Sequence, residues 1–574
     1  MRVSMKERVA NRWGLPVAFM LLLVSGTALG QSTRKFYRDD PVTIEPETQD
    51  ASNVANFKID LFYDLMLNQF TRPGEAAGPR AKNVNTIDEV SDSSWFTNRI
   101  PEKPVTVAEA VRGATTGNGP APGKWSVVHA KTEGAAPGFT IRDGAGETWF
   151  LAFDPKSNPE GATGAAVVAS RIFWTLGYFQ AEYYISELRP DQLTVDPKAT
   201  YRPPSGRERP MKLSDVLPVL HRVARNSNGS YRVLASRLLP GKILGGFKYY
   251  GTRPDDPNDV IPHEHRRELR ALKVFGAWTN LVDMKALNTM DTLISENGRA
   301  RVQHYLLDVG STFGIGANGP REWWEGYEYL FEQDKTLKRM ASFGFYLQPW
   351  QTVDYTEYPA VGRFEGDEFN PDTWKTRVSV GAVLRAREDD DFWAARRVMA
   401  FSDELIRAIV KTGRYSDPKA EEHLGTVLIK RRNKIGQAYL PRINPLVGFS
   451  LTASDVLTFE NAAVKTGMAT APASYAATWS EFNNSTGTTR PIGETKGLSE
   501  LMNAPSGLPS NVGSFVQAEV RAVGAPHASW EKPVRVTFRR LERGWKLVGL
   551  ERMADEPGQA PNQQEPQKVT AAVR

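Results

Sequence analysis

The closely spaced short segments between residues 124 and 188 constrain the fold of this 574-residue chain more than any other feature. Apolar and β-branched residues recur there at short intervals, which is typical of strands. A small-residue stretch over 160–176 has the pattern of a helix, with Gly177 as its C-cap. The sequence therefore predicts three strands, one helix and then further strands. The predicted strands are WSVVHAK (125–131), FTIRD (139–143), ETWFLAF (147–153), YYISEL (183–188) and SYRVLASRLL (230–239).

Helices dominate the prediction for the middle of the chain. Residues 262–280 carry one apolar face and are predicted to form a long helix, and helical periodicity returns at 393–412 and 418–437. Between them, YLLD (305–308) has the pattern of a short buried strand. Past Pro441 the composition shifts to Ser, Thr, Ala and Gly with alternating segments, which predicts a β-rich region.

Two short motifs between those helices carry the clearest chemistry in the sequence. The first is Asp283 followed five positions later by Asn288, and the second is Asp308 in the run Asp-Val-Gly-Ser. Phosphoryl-transfer sites use such a set, because that reaction depends on positioning and charge neutralisation more than on covalent chemistry. Asp283 would orient an acceptor hydroxyl and take its proton. Asn288 and Asp308 would supply the oxygen ligands that Mg²⁺ prefers.

A purely structural interpretation of the same residues stays open. Each motif is weak by itself, because Asp and Asn commonly cap turns: Asp283 and Asn288 would then cap a turn, and Asp308 the element after a core strand. Order and context favour the phosphoryl-transfer interpretation. A long predicted helix precedes the first motif, a short segment separates the two, and a β-rich region with one helix lies upstream.

On these motifs and this order of elements, residues 124–440 resemble a divergent, atypical member of the protein-kinase-like superfamily, nearer to its HipA, CotH and lipid-kinase-related branches than to ordinary Ser/Thr kinases. The resemblance implies an α+β, two-lobed fold: a β-rich small lobe and hinge over 124–260, and a mainly helical large lobe over 261–440. It also implies ATP or another nucleotide between the lobes. Mg²⁺ or Mn²⁺ would be held by Asn288 and Asp308, with Asp283 as the catalytic residue.

The small-lobe half of the expected site departs from the family pattern. The family carries a Lys on the third strand, which pairs the phosphates with a Glu on the next helix. Here Ala152 stands near the Lys position, and the helix reads Gly-Ala-Ala-Val-Val over 164–168. Loss of both partners is self-consistent, since a lone buried charge is costly. Lys131 and Lys156 are the candidate cofactor-binding replacements for the Lys, and Glu160 for the Glu.

The first thirty residues have the pattern of a secretory signal peptide. A basic stretch precedes the apolar run from Leu15 to Val24, and small residues lead up to Gln31. The run is shorter than the ~20 apolar residues of a spanning helix. We therefore expect cleavage and export to the periplasm or the cell exterior, with no transmembrane helix after signal removal. The chain has no Cys, which excludes disulfides, thiolate metal sites and Cys nucleophiles.

The charge balance gives no reason to expect a nucleic-acid partner. The formal charge of +6 includes a signal segment with four Lys or Arg residues and one Glu, so the remainder is closer to neutral. No basic stripe with interleaved aromatic residues occurs. The partners we expect are a nucleotide and an acceptor that is a protein or a component of the cell envelope.

Two polar clusters have a metal-binding and a structural interpretation. His263, Glu264 and His265 could hold zinc, although their spacing is not His-Glu-x-x-His, and a polar helix start with surface ion pairs is favoured. The loop over 253–259 gathers three carboxylates that could bind Ca²⁺, although a solvated turn is favoured. The run Asp389–Asp391 precedes a helix and is expected to compensate its dipole.

One aromatic cluster also has two interpretations. It could form a carbohydrate platform, but packing in the core of a helix is favoured. Its members are Trp323, Trp324, Tyr327 and Tyr329.

The remaining boundaries complete the predicted organisation. An extension that contains one amphipathic helix is expected to dock on the main domain, and a β-rich module is expected to precede a disordered tail. The predicted segments are a signal peptide (1–30), the extension (31–123), the C-terminal module (441–553) and the tail (554–574).

The sequence thus predicts an exported kinase-like protein that transfers a phosphoryl or nucleotidyl group from a Mg-nucleotide to a protein or envelope acceptor. One alternative is a kinase-like pseudoenzyme that acts as a binding or scaffold protein of the cell envelope. The other alternative is a glycan-binding protein that uses the aromatic cluster.

Overall fold

The computed structural model describes residues 35–75, 78–130, 137–203 and 206–552. The predicted signal peptide and tail lie outside these ranges. The described chain mixes helices with several β-sheets. None of its helices is long and apolar enough to cross a membrane.

The N-terminal segment contributes two helices, α1 (Leu61–Thr71) and α2 (Val107–Arg112). An amphipathic helix normally buries its apolar side, but α1 does the reverse. Phe62 and Phe70 are 73% and 58% exposed, whereas Asp64 and Asn68 are buried. The Asp64 carboxylate accepts hydrogen bonds from the Tyr250 hydroxyl at 3.1 Å and from Asn68 Nδ2 at 3.1 Å. Polar contacts therefore fix α1 to the body of the protein.

A six-stranded sheet and its flanking helices occupy residues 125–237, and the predicted strands and helix of this region are confirmed. The bounds are β1 (Trp125–Ala130), β2 (Gly138–Arg142), β3 (Thr148–Phe153), α3 (Gly161–Leu176), β4 (Tyr183–Leu188), β5 (Leu193–Val195), β6 (Thr200–Tyr201), β7 (Arg209–Pro210), α4 (Leu213–Leu220) and β8 (Tyr231–Arg237).

The sheet has the strand order β4-β8-β3-β2-β1-β5, with parallel pairing only between β1 and β5. Side chains alternate between its faces. Trp149, Leu151 and Phe153 pack into an apolar cluster with Val216 and Leu220 of α4. The even-numbered residues of β3 therefore face the other side of the sheet.

Small residues let α3 pack closely on its neighbours. A side-chain carbon at Gly164 would stand 2.6 Å from the ring of Tyr415, which is too close for any residue but glycine. The predicted C-cap is also confirmed, because Gly177 N–H donates to the carbonyl of Phe173.

The middle of the chain contains short helices and a hairpin. Its elements are β9 (Lys242–Gly245), α5 (Arg267–Arg270), α6 (Leu272–Thr279), β10 (Met290–Glu296), β11 (Arg299–Tyr305), β12 (Ile315–Gly316) and β13 (Gly319–Pro320).

Two predictions for this middle region are wrong. The helix expected over 262–280 is interrupted at Arg266, whose backbone is extended. The side chain of Asn83 accepts the Arg267 N–H at 2.8 Å and replaces the backbone hydrogen bond that a continuous helix would make there. A contact with the distant N-terminal segment therefore outweighs the local helical periodicity of residues 262–280. The strand expected at 305–308 is not observed either, and β11 ends at Tyr305.

Five helices follow. The helix predicted at 418–437 is confirmed, whereas the single helix predicted over 393–412 is two helices separated by residues 400–402. The five helices are α7 (Gln333–Ala341), α8 (Gly381–Leu384), α9 (Glu388–Met399), α10 (Asp403–Lys411) and α11 (Pro418–Tyr439).

The last described residues form two antiparallel sheets, one of three strands and one of five. An apolar cluster runs from α3, α6 and α9 into these strands, so the helices and the C-terminal sheets share a core. The elements are β14 (Leu446–Leu451), β15 (Val456–Asn461), α12 (Ala462–Lys465), β16 (Ser474–Phe482), β17 (Thr489–Gly497), β18 (Leu501–Asn503), β19 (Phe515–Val523), β20 (Val534–Arg540) and β21 (Trp545–Glu551).

The acidic start of α9 belongs to a buried ion network. Asp389, Asp390 and Asp391 lie in the first turn of α9, as expected, but each is at most 2% exposed. Arg267 contacts Asp389 at 2.9 Å and Asp390 at 3.0 Å. Lys273 contacts Asp391 at 2.7 Å. Dipole compensation is therefore an incomplete account of these residues, because their main partners are cations of α5 and α6.

Candidate functional site

The two sequence motifs meet at the open end of the β10–β11 hairpin. Met290 at the start of β10 is paired with Tyr305 at the end of β11. The segments that enter and leave the hairpin therefore lie side by side. The Asp308 N–H donates to the backbone carbonyl of Asn288 at 3.0 Å. The structure thus brings together the backbones of two predicted metal ligands that are twenty positions apart.

Asp283 and Asn288 are linked within the first motif. Asn288 Nδ2 donates to the backbone carbonyl of Asp283 at 2.6 Å, at the end of a 3-10 turn over Ala286–Asn288. The amide nitrogen of Asn288 thus holds the turn, as the structural interpretation expects, and its Oδ1 remains the ligand atom that a metal would need.

The carboxylate of Asp283 is ionised at neutral pH. It accepts a hydrogen bond from Lys285 Nζ at 2.9 Å. Burial alone would raise the pKa of Asp283, but the charge and hydrogen bond of Lys285 hold that pKa below its usual value. Lys285 was not among the site residues predicted from the sequence, although it lies only two positions after Asp283.

Asp308 lies at the surface between the hairpin and α3. Its Oδ1 accepts the Gly310 N–H at 3.0 Å, so Oδ2 is the oxygen left for a ligand. A side-chain carbon at Gly310 would stand 3.3 Å from the side chain of Ala166 on α3. The Tyr183 hydroxyl of β4 also donates to the carbonyl of Leu307. α3 and β4 therefore hold the backbone around Asp308.

The predicted small-lobe partners do not meet this site in the described residues. Lys131 lies outside the described ranges. Lys156 lies on an exposed turn after β3, and no hydrogen bond or ion pair of its side chain is found among the described residues. The Glu160 carboxylate accepts hydrogen bonds from Ser416. No ion pair between described residues joins β3 to α3.

The residues considered for zinc are buried, so the expectation of an exposed polar helix start is wrong. His265 Nε2 contacts Glu75 at 2.6 Å, and its Nδ1 accepts from Arg270 at 2.7 Å. His263 binds Asp259 through Nε2 at 2.8 Å and the carbonyl of Lys248 through Nδ1. Protein groups thus occupy both nitrogens of each ring.

The loop considered for calcium is only partly solvated, because Asp255 is exposed whereas Asp256 and Asp259 are buried. Asp256 and Asp259 are 7% and 6% exposed, and Arg253 is 4% exposed. Within the described ranges, no group of three or more His, Asp or Glu residues is arranged to hold a metal ion. Asn288 and Asp308 could offer two oxygen ligands, a number that would suit Mg²⁺ because that ion keeps several waters.

The Asp259–His263 pair predicts how stability depends on pH. Burial alone would raise the pKa of Asp259, but the charge of His263 and the hydrogen bond to it lower that pKa from 3.8 to about 2. The Asp259 contribution is therefore complete above pH 3.8 and is lost as pH falls through about 2. Burial alone would lower the pKa of His263, but Asp259 raises it above 6.5, so the His263 contribution is lost as pH rises past that raised value.

We expect Asp259→Asn to lower the free energy of unfolding by about 2 kcal/mol near pH 5 and to flatten both limbs of the profile. Urea unfolding from pH 2 to pH 9 measures this. The exposed pair of Lys430 and Asp367 provides the control, since Asp367→Asn should cost less than about 1 kcal/mol. An unchanged acid limb in Asp259→Asn would contradict the prediction.

The aromatic cluster does not lie on a helix, so the expected packing in a core helix is wrong. Trp323 is 40% exposed, and the guanidinium of Arg363 stacks on it at 4.0 Å. The Tyr327 hydroxyl is 3.3 Å from Glu365 Oε1. Of the four aromatic residues, Tyr327 lines a pocket.

Comparisons with known proteins give little. No family model and no curated protein match the chain. Two similar solved structures are a Golgi casein kinase with Mn/ADP bound (TM-score 0.28) and the same kinase without a stated ligand (TM-score 0.26). Both are 9% identical over 55% of this chain, and the match spans 72% and 71% of theirs. At these TM-scores the likeness carries no argument of its own.

Proposed function

We propose that this chain is an exported kinase-like phosphotransferase that uses a Mg- or Mn-nucleotide and transfers a phosphoryl or nucleotidyl group to a protein or envelope acceptor. One observation carries the proposal: Asn288 bonds the backbone of both Asp283 and Asp308. A single residue thereby fixes a candidate base and two candidate metal ligands in one place.

Each residue of the set has a distinct role in the proposed reaction. The ionised Asp283 would accept a hydrogen bond from the attacking hydroxyl and then its proton. Asn288 Oδ1 and Asp308 Oδ2 would hold the metal, which when bound neutralises charge on the phosphates. The basic and apolar pattern of residues 1–24 supports the proposed export.

The arrangement of the sheet supports a two-lobed, kinase-like fold as part of the proposal. Three antiparallel strands lead into α3, and α3 packs beside the Asp308 loop. The nucleotide would lie between that loop and the sheet face that carries Ala152 and the 45%-exposed Phe150. An apolar, partly exposed face of this kind suits the contact of a base ring.

A thermal-shift experiment tests the proposal. ATP or GTP with Mg²⁺ or Mn²⁺ should raise the unfolding temperature of the mature chain, with about 2.7 kcal/mol of added stability at a hundred times Kd. Asp308→Asn should abolish the shift, because the proposed metal site loses its negatively charged ligand. Asp191→Asn, on an exposed turn before β5, is the matched control. If neither nucleotide raises the unfolding temperature at saturating metal, the proposed phosphotransferase activity is rejected.

A second candidate function is a kinase-like pseudoenzyme that acts as an envelope scaffold. The observation that favours it is the absence of a Lys–Glu pair between β3 and α3 in the described residues, where Ala152 and Ala166 stand. A nucleotide-dependent shift without any transfer of labelled phosphate would select this function over the first.

A further inference from the structure

Arg431 is a buried guanidinium without a polar partner. It lies in the middle of α11, is 5% exposed, and is sandwiched between Phe369 at 3.8 Å and Phe364 at 4.5 Å. Within the described ranges its side chain makes no hydrogen bond and no ion pair. An uncompensated buried charge is costly, so such a residue is expected to have an anionic partner.

Arg431 remains charged at neutral pH. Burial lowers its pKa, to about 10, against the opposing effect of Glu365 and two tyrosines. The aromatic sandwich supplies cation–π attraction, but rings cannot accept the five N–H groups of a guanidinium. The hydrogen-bonding capacity of Arg431 is therefore unused.

The guanidinium lines a small, partly open pocket of about 20 Å³. Further donors border it: Arg363, Asn370, and the hydroxyls of Tyr327 and Tyr355. The two hydroxyls are 3.5 Å apart, which is a long contact that a better acceptor would replace. Arg363 Nε is likewise buried without a partner in the described residues.

Two carboxylates also face the pocket, and both already accept hydrogen bonds. Glu325 accepts from Arg321 at 3.0 Å and from the Glu322 N–H at 3.1 Å. Glu365 accepts the Glu368 N–H at 2.8 Å and the Tyr327 hydroxyl at 3.3 Å. Neither carboxylate forms an ion pair with Arg431, so this guanidinium is left to bind another acceptor.

We propose that this pocket binds the oxyanion of a small phosphate ester or carboxylic acid, with Arg431 as its buried anchor and Arg363 and Tyr355 as further donors. The proposal does not depend on the transfer activity above, because anion binding is measured without nucleotide. The pocket nevertheless adjoins the Asp283 segment, since Asn280 forms part of its wall.

The principal test replaces the charge but keeps the packing. Arg431→Met retains a flexible side chain between the two phenyl rings. If the guanidinium is an anion anchor, the unliganded variant should unfold at the same temperature as the parent protein or higher, because an unpaired buried charge is gone. If the guanidinium only holds the rings together, the variant should unfold at a lower temperature, and the proposal fails.

The second readout is binding. Inorganic phosphate and D-glucuronate, each titrated at constant ionic strength against chloride, should raise the unfolding temperature of the parent protein. Arg431→Met should weaken binding at least about tenfold, the loss of one charged hydrogen bond. Arg407→Met, which breaks an exposed pair with Glu422 on neighbouring helices, should leave binding unchanged.

The two anions also separate the possible sources of the oxyanion. A shift with phosphate alone identifies a phosphate ester, and a shift with glucuronate alone identifies a carboxylic acid. No shift with either anion, or an equal shift in Arg431→Met, overturns the proposal.

Discussion

Replacing Arg267 by Met is expected to destabilise the protein by about 3–5 kcal/mol at pH 7.5, the cost of breaking a buried ion pair from one side. Arg267 has no exposed surface and contacts Asp88 at 2.8 Å, Asp389 at 2.9 Å and Asp390 at 3.0 Å. Without Arg267, these carboxylates lack a compensating positive charge. Urea unfolding monitored by tryptophan fluorescence measures the change.

The same variant should recover part of its stability in acid. Burial and the neighbouring Asp389 already raise the pKa of Asp390, and loss of Arg267 raises it further. Protonation then removes the uncompensated charge, so the difference from the parent protein should shrink at pH 5. Adding Asp390→Asn should restore stability in the same way at pH 7.5.

An exposed ion pair provides the control for Arg267→Met. Arg490 and Glu481 are paired on the surface, and Arg490→Met should change stability by less than about 1 kcal/mol. If Arg267→Met also changed the free energy of unfolding by less than about 1 kcal/mol, the buried ion network would contribute little to stability.

Local patterns were sufficient to predict α3 and five of the six strands of the large sheet, all but the three-residue β5. The alternation in β3 places Trp149 and Leu151 on one face of that sheet, and the small residues of α3 end at the glycine expected to cap it. These elements follow from contacts between residues close in sequence, so their pattern is visible without the fold.

Long-range contacts decided what the sequence could not predict. The expected helix over 262–280 breaks where Asn83 contacts Arg267, and two of the carboxylates that pair with Arg267 lie more than 120 positions away on α9. Arg431 has the pattern of a surface residue in a basic run of α11, yet folding buries it between two rings. No local signal indicates such partners.

The candidate site is an intermediate case. The spacing of Asp283, Asn288 and Asp308 suggested one site, and the pairing of β10 with β11 explains why the two motifs meet. The roles of Lys285 and Tyr183 depend on side-chain geometry and were not predicted. Whether the set supports transfer therefore depends on an experiment that separates binding from chemistry.

Asp283→Asn is expected to retain nucleotide-dependent stabilisation and to lower the rate of transfer by about 10²–10⁴-fold, the usual contribution of a positioned acid or base. The amide keeps the size of the carboxylate and loses the proton acceptor, while the proposed metal ligands Asn288 and Asp308 are unchanged. Transfer is measured with ATP that carries a label at the α or the γ phosphate. The label is followed into the protein itself and into components of an envelope extract. Asp308→Asn should lose both binding and transfer, and Asp191→Asn neither. Transfer by Asp283→Asn at the parent rate would remove Asp283 from the mechanism while leaving the metal ligands in place.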